Sequence, residues 1–100
     1  MAKKQIEVFL KPLAERQITA IAIYIEEKGY PFTAEKFAEN LYSFAESLSA
    51  FPKKFPLCRN TMLAKRNYRC AVFKKKYIFV YKIAGTQVTV FKVIHATRLK

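Results

Sequence analysis

A chain of 100 residues, 52% of them hydrophobic, holds enough apolar surface for one compact domain and too little for two independently stable cores, so residues 1–100 read as a single domain. Its apolar runs are broken by charge well short of the ~20 residues that a bilayer-spanning helix needs, and the stretch from Met1 to Glu7 lacks the apolar segment of a secretory leader, which predicts a soluble, cytoplasmic protein with no membrane partner. The net charge of +12 is held by one half: residues 1–50 carry six basic and seven acidic side chains, whereas residues 51–100 carry thirteen basic and no acidic one. Uncompensated cations at that density repel one another unless something covers them, so nucleic acid, a nucleic-acid-bound machine or an acidic partner chain is implied.

In chain order, the segment from Gln5 to Leu10 alternates polar and apolar before an apolar end, which suits a short edge strand. Pro12 opens a helix over 12–28, because proline at the first helical position gives up no hydrogen bond that the helix needs. Leu13, Ile18, Ile21, Ala22 and Ile25 follow at helical spacing, and Lys28-Gly29 supplies the stop. Thr33 is the expected cap of a second helix, with Glu35 in its first turn and an apolar stripe of Phe37, Leu41, Phe44, Leu48 and Phe51 ended by Pro52. A stripe of that kind reads as core, not as a cofactor box. The two helices, joined by a short turn, predict an antiparallel hairpin.

Residues 52–66 read as a basic connecting loop. Beyond them the period changes to two, giving strands at about 67–73, 77–84 and 87–95, the last two joined by a tight turn through Gly85-Thr86. The architecture predicted is α+β: a two-layer β-α-α-β-β-β domain with a helical hairpin packed on a mainly antiparallel sheet. Alternation from that turn places Tyr77, Phe79, Tyr81, Ile83, Val88, Val90 and Ile94 on the helix-packed face. It leaves Ile78, Val80, Lys82, Thr89, Phe91, Val93 and His95 on a more open one.

Aspartate is absent and all seven glutamates lie in the first half, which argues against the acidic ligand cluster of two-metal nuclease chemistry. Cys58, Cys70 and His95 match no zinc spacing, and the two cysteines are expected as reduced thiols, having neither redox-motif spacing nor scaffold density. Gly29 and Gly85, the two glycines, are explained by turns, so no phosphate-binding loop is read. No cofactor, metal or small-molecule substrate is therefore expected. What remains is metal-free chemistry: Arg59, Arg66, Arg69, Lys74, Lys75, Lys76 and Arg98 as cations for phosphates or developing charge, with His95 or a tyrosine as proton carrier.

One ordered set of segments is informative as a whole: Lys28-Gly29-Tyr30-Pro31-Phe32-Thr33-Ala34-Glu35-Lys36, then Leu48-Ser49-Ala50-Phe51-Pro52, Arg69, Tyr77-Ile78-Phe79-Val80-Tyr81-Lys82-Ile83, and Val93-Ile94-His95-Ala96-Thr97-Arg98. In this order, over nearly the whole chain, they resemble the RelE/ParE superfamily of toxins from type II toxin–antitoxin (plasmid stabilisation) modules. The resemblance implies a cognate antitoxin that wraps the toxin and one of two targets, DNA gyrase or mRNA in the ribosomal A site. RelE-type nucleases carry an arginine where this chain has Ile78, place a further basic residue where it has Ala71, and often add a tyrosine past the last strand, where this chain stops at Lys100. The Tyr77–Tyr81 strand and the terminal His95-x-x-Arg98 pattern are closer to ParE-like members, which poison gyrase without being nucleases. The preferred reading is a gyrase inhibitor with Arg59, Lys65, Arg66, Lys74, Lys75, Lys76 and Arg98 as target-binding residues. The alternative is a ribosome-dependent mRNA endoribonuclease in which Arg69, His95 and Arg98 are catalytic and Arg59, Lys65 and Arg66 grip ribosomal RNA. A plain RNA-binding module ranks below both, since the pattern shows no interleaved exposed aromatics.

Overall fold

The computed structural model describes residues 6–96. In chain order it contains β1 (Glu7–Leu10), α1 (Pro12–Glu27), α2 (Pro31–Ser47), α3 (Thr61–Lys65), β2 (Arg69–Phe73), β3 (Tyr77–Ala84) and β4 (Gln87–His95). The four strands form one sheet in the order β1-β4-β3-β2, with β1 parallel to β4 and the other pairs antiparallel. This is the α+β arrangement read from the sequence: a helical hairpin on one face of a mixed, mainly antiparallel sheet.

Both long helices start on proline. Pro12 does so as expected, but α2 begins at Pro31 and not behind a Thr33 cap. Pro31 brings a helical φ and no N–H to satisfy, and the Tyr30 carbonyl already accepts from the Ala34 N–H at 2.8 Å, so the helix starts three residues early, capped by Tyr30 and not Thr33. Gly29 ends the preceding helix at φ 94°, a left-handed position that other residues reach only with strain. The second helix also stops short of Phe51, which lies outside it and is 72% exposed. The rest of the stripe is core: Leu41 and Leu48 are buried, and Phe44 meets Phe73 and Phe79 with ring centroids 5.0 Å apart in each pair.

The β3–β4 hairpin turns through Gly85, at φ 59°, with Ala84 opposite Gln87 and Ile83 opposite Val88. Alternation holds as far as Tyr81 opposite Val90, where the register shifts so that Val80 faces Lys92 and Phe91 has no counterpart. That single extra residue is a β-bulge, and it reverses the faces of everything after it on β4. Val93 is therefore in the helix-side core and Ile94 in the cluster on the other side, the reverse of the expected assignment. His95 moves likewise, pairing with Tyr77 on the helix side instead of the open one.

The other face is not open along its length. Residues 52–66, read as a plain loop, contain the one-turn helix α3, whose N-terminal Asn60 side chain accepts from the Leu63 N–H at 3.1 Å. From there Leu63 and Tyr68 pack with Cys58, Cys70, Ile78, Val80 and Ile94 into a second, smaller cluster. Cys58 and Cys70 are joined in a disulfide, where reduced thiols were expected. The chain folds back so that Cys58 N–H donates to the Tyr68 carbonyl and Cys70 N–H to that of Pro56, at 3.0 and 3.2 Å. This backbone pairing brings the two Cα atoms to 4.9 Å, inside the range a disulfide spans. Nothing in the cysteine spacing announces it.

Candidate functional site

Arg69 is the first residue of β2 and sits opposite Tyr81. Its Nη1 donates to the Phe55 carbonyl at 2.6 Å, and the Tyr81 hydroxyl donates to the Pro52 carbonyl at 2.6 Å, so the two side chains pin residues 52–55 against the edge of the sheet. Burial pushes the Tyr81 phenol above its usual range, an effect that the neighbouring guanidinium partly offsets. The phenol thus stays a protonated donor.

His95 stands elsewhere. It lies two strands from Arg69 and four residues further along, opposite Tyr77, where Arg69 is opposite Tyr81. Strand spacing and rise put the two Cα atoms roughly 16 Å apart. The imidazole meets the Tyr77 ring edge-on, centroids 5.5 Å apart, at a shallow cavity of about 610 Å³ that Gln17, Tyr24 and Lys76 also line. There the Gln17 side chain accepts from the Val93 N–H at 2.7 Å, a backbone donor on the stretch of β4 that β1 does not reach. Burial, and secondarily Tyr24, raises the Tyr77 phenol. Arg98 lies outside the described residues. Among the described residues, no group of three or more His, Cys, Asp or Glu side chains is arranged to hold a metal ion.

The remaining cations fall in two places. Lys74, Lys75 and Lys76, all exposed, make the turn between β2 and β3, closed by Lys76 N–H donating to the Phe73 carbonyl at 3.0 Å. Both central residues have positive φ, 51° at Lys74 and 60° at Lys75. A turn with left-handed φ at both central positions normally assigns them to Asn or Gly, because a Cβ there costs about 1–2 kcal/mol per residue. Two adjacent lysines in that position hold strain at an exposed cationic tip.

Arg59, Lys65 and Arg66 lie on the α3 segment over the other face of the sheet. There Arg66 borders a groove of about 490 Å³ with Lys11, Arg16 and Lys92 on its rim and Leu13, Leu63, Val80 and Phe91 beneath. Tyr68 meets Phe91 edge-on at 5.0 Å, Lys82 spans the Tyr68 ring at 5.1 Å and Lys11 the Phe91 ring at 5.6 Å. Sequence reasoning did not single out Lys11, Arg16, Lys82 or Lys92. Lys11 and Arg16 belong to the half of the chain with no net positive charge, and only the parallel pairing of β1 with β4, a non-local contact, carries them to this face.

A family model for the ParE toxin of type II toxin–antitoxin system, parDE, matches residues 8–99. The chain belongs to the ParE toxin family. A solved chain described as the chromosomal ParDE TA system from P. aeruginosa is similar in structure, with a TM-score of 0.79 over 93% of this chain and 98% of that one. Its sequence identity is only 9%, so the likeness is one of fold. No curated protein sequence matches the chain. For this ParE-family chain, the bulge at Phe91, the stapled α3 segment and the Lys74-Lys75 turn are the features that shape its cationic surface.

Proposed function

We propose that this ParE-family toxin acts in the cytoplasm by binding DNA gyrase, alone or with its DNA, and is neutralised by a cognate antitoxin whose acidic segment covers part of residues 52–100. Arg59, Lys65, Arg66, Lys74, Lys75, Lys76 and Arg98 are the proposed target contacts. The observation that carries a binding role over a nuclease role is the commitment of Arg69. Its guanidinium is used on a backbone carbonyl, and its Cα stands roughly 16 Å from that of His95, whereas a phosphodiester cleaved between the two side chains would need both within hydrogen-bond reach. Ile78 adds to this, being packed in the second cluster where charge stabilisation would require a cation. The strained lysine turn favours a partner that covers an exposed cationic tip.

Purified gyrase titrated with the protein is expected to lose supercoiling activity or to accumulate cleaved DNA, and added antitoxin is expected to reverse the effect. Lys74→Ala with Lys75→Ala is expected to slow association and to reduce its salt dependence. Full supercoiling activity at saturating toxin would refute the gyrase assignment.

A further inference from the structure

The groove beside α3 has a composition that selects its occupant. Its rim is made by Lys11, Arg16, Arg66 and Lys92, and among the described residues no acidic side chain lines it. Its floor is apolar: Val80 is buried in the second cluster, Leu63 and Phe91 are half-buried, and Leu13 is 41% exposed. A single-stranded nucleic acid would find the charge it needs here but not the reading surface. Apart from the Tyr68 hydroxyl, no side-chain amide or hydroxyl among the described residues lines the groove to meet a base edge, and lysine ammonium groups already span the Tyr68 and Phe91 rings on which a base would stack. An apolar floor inside a cationic rim fits instead a peptide that carries carboxylates around one large apolar side chain.

One wall of this groove has an unusual support. Leu63, Arg66 and Tyr68 all lie within the loop that Cys58 and Cys70 close, at a sequence separation of 12. The five residues of α3 are too few to form a stable helix alone. What holds the wall, besides the disulfide, is the Asn60 cap, the pairing of Cys58 with Tyr68 and of Cys70 with Pro56, and the small cluster on Ile78 and Val80. The geometry points to a redox-dependent docking site: the groove binds an acidic segment with a large apolar anchor, and the Cys58–Cys70 bond sets the affinity by fixing the α3 wall. A thiol reductant opens the bond by delivering two electrons and two protons, leaving two cysteine thiols and the reductant's own disulfide. In a compartment rich in small thiols the bond is the minority state, so the closed groove belongs to oxidising conditions. The choice of an acidic protein segment as occupant rests on the antitoxin reading above.

The test uses the full chain and a fluorescein-labelled synthetic peptide of glutamates and aspartates around a leucine–phenylalanine pair. Controls are the same peptide with serine for its acids, the same peptide with alanine for its apolar pair, and oligothymidylate. Fluorescence anisotropy is expected to show binding of the parent peptide that falls roughly ten-fold with either control peptide, and likewise in Arg66→Ala or Lys92→Ala, both changes of exposed side chains. Dithiothreitol is expected to weaken binding to the wild type several-fold while circular dichroism stays folded. The Cys58→Ser, Cys70→Ser double variant is expected to bind at the reduced level with or without dithiothreitol. Peptide affinity unchanged after mass spectrometry has confirmed reduction would overturn the role of the bond. Absent peptide binding, or tighter binding of oligothymidylate than of peptide, would overturn the occupant. If the peptide fails while gyrase inhibition persists, this inference falls alone. If gyrase inhibition fails while the peptide binds, the target assignment falls and the groove stands.

Discussion

The two faces of the sheet are built from the same strands and held by different means. Against α1 and α2, Phe79, Tyr81, Val88, Val90 and Val93 are buried with Ala14, Ile18, Leu41, Ala45 and Leu48 in one continuous cluster. Two helices of 16 and 17 residues cover that face. On the other side, among the described residues, only Cys58, Ile78 and Val80 are buried, under a one-turn helix and a disulfide loop. Hydrophobic area dominates the first face and a short covalent closure the second, so stability resides in one and adaptable, charged surface in the other. The cations follow that division, since Lys82, Lys92 and Arg66 gather on the thinly covered side, with Lys11 and Arg16 at its margin.

The sharpest way to break the comparison is a matched pair of truncations. Phe44→Ala removes a ring that meets Phe55, Phe73 and Phe79 with centroids within 5.9 Å, and is expected to cost about 3–5 kcal/mol in urea unfolding. Leu63→Ala, half-buried in the second cluster, is expected to cost about 1–2 kcal/mol. Equal losses would mean that the two faces contribute alike.

A smaller effect, of opposite sign, is expected at the turn between β2 and β3. Replacing Lys75, at φ 60°, by glycine relieves a left-handed conformation and is expected to stabilise the fold by about 1 kcal/mol, while weakening whatever engages the tip. A loss of stability instead would show that the lysine side chain supports the turn.

The smallest expected effect is at Tyr81. Because burial raises its phenol above the ordinary tyrosine range, the folded state holds that proton more tightly than the unfolded chain. Its contribution is complete below pH ~10 and is lost as pH rises through the folded value. Tyr81→Phe is expected to cost about 1 kcal/mol at neutral pH, the hydrogen bond to the Pro52 carbonyl, and to flatten the alkaline fall in thermal midpoint. An unchanged alkaline slope would assign that fall to Tyr77, which is raised as well.

These contrasts also separate what the sequence makes legible from what it does not. Periodicity carries local information, and it placed the helices, the Gly85 turn and the inward set Tyr77, Phe79, Tyr81, Ile83, Val88 and Val90. It cannot see an inserted residue. The bulge at Phe91 changes no composition and no spacing, yet it exchanges Val93 with Ile94 and carries His95 to the helix side. The Thr33 cap was a sound local preference that a stronger one, Pro31 at the first helical position, displaced. The disulfide, the groove and the use of Arg69 on Phe55 depend on contacts between residues far apart in the chain. A single sequence offers no local signal for those. The seven proposed target-binding cations were visible as a charge excess, but the placing of Lys74, Lys75 and Lys76 on a turn and of Arg66 at a groove needed the sheet.

The central claim is that this ParE-family chain acts by binding and not by cutting RNA, and Arg69 is where it is most exposed. Messenger RNA ends mapped in a translating extract, with wild-type protein and with Arg69→Ala shown to be folded, test it directly. The account predicts intact mRNA in both samples, because the Arg69 guanidinium is engaged with the Phe55 carbonyl and its strand position is two strands and four residues away from that of His95. Codon-positioned cuts that appear only with ribosomes and vanish in Arg69→Ala would contradict it and establish the chain as a ribosome-dependent nuclease.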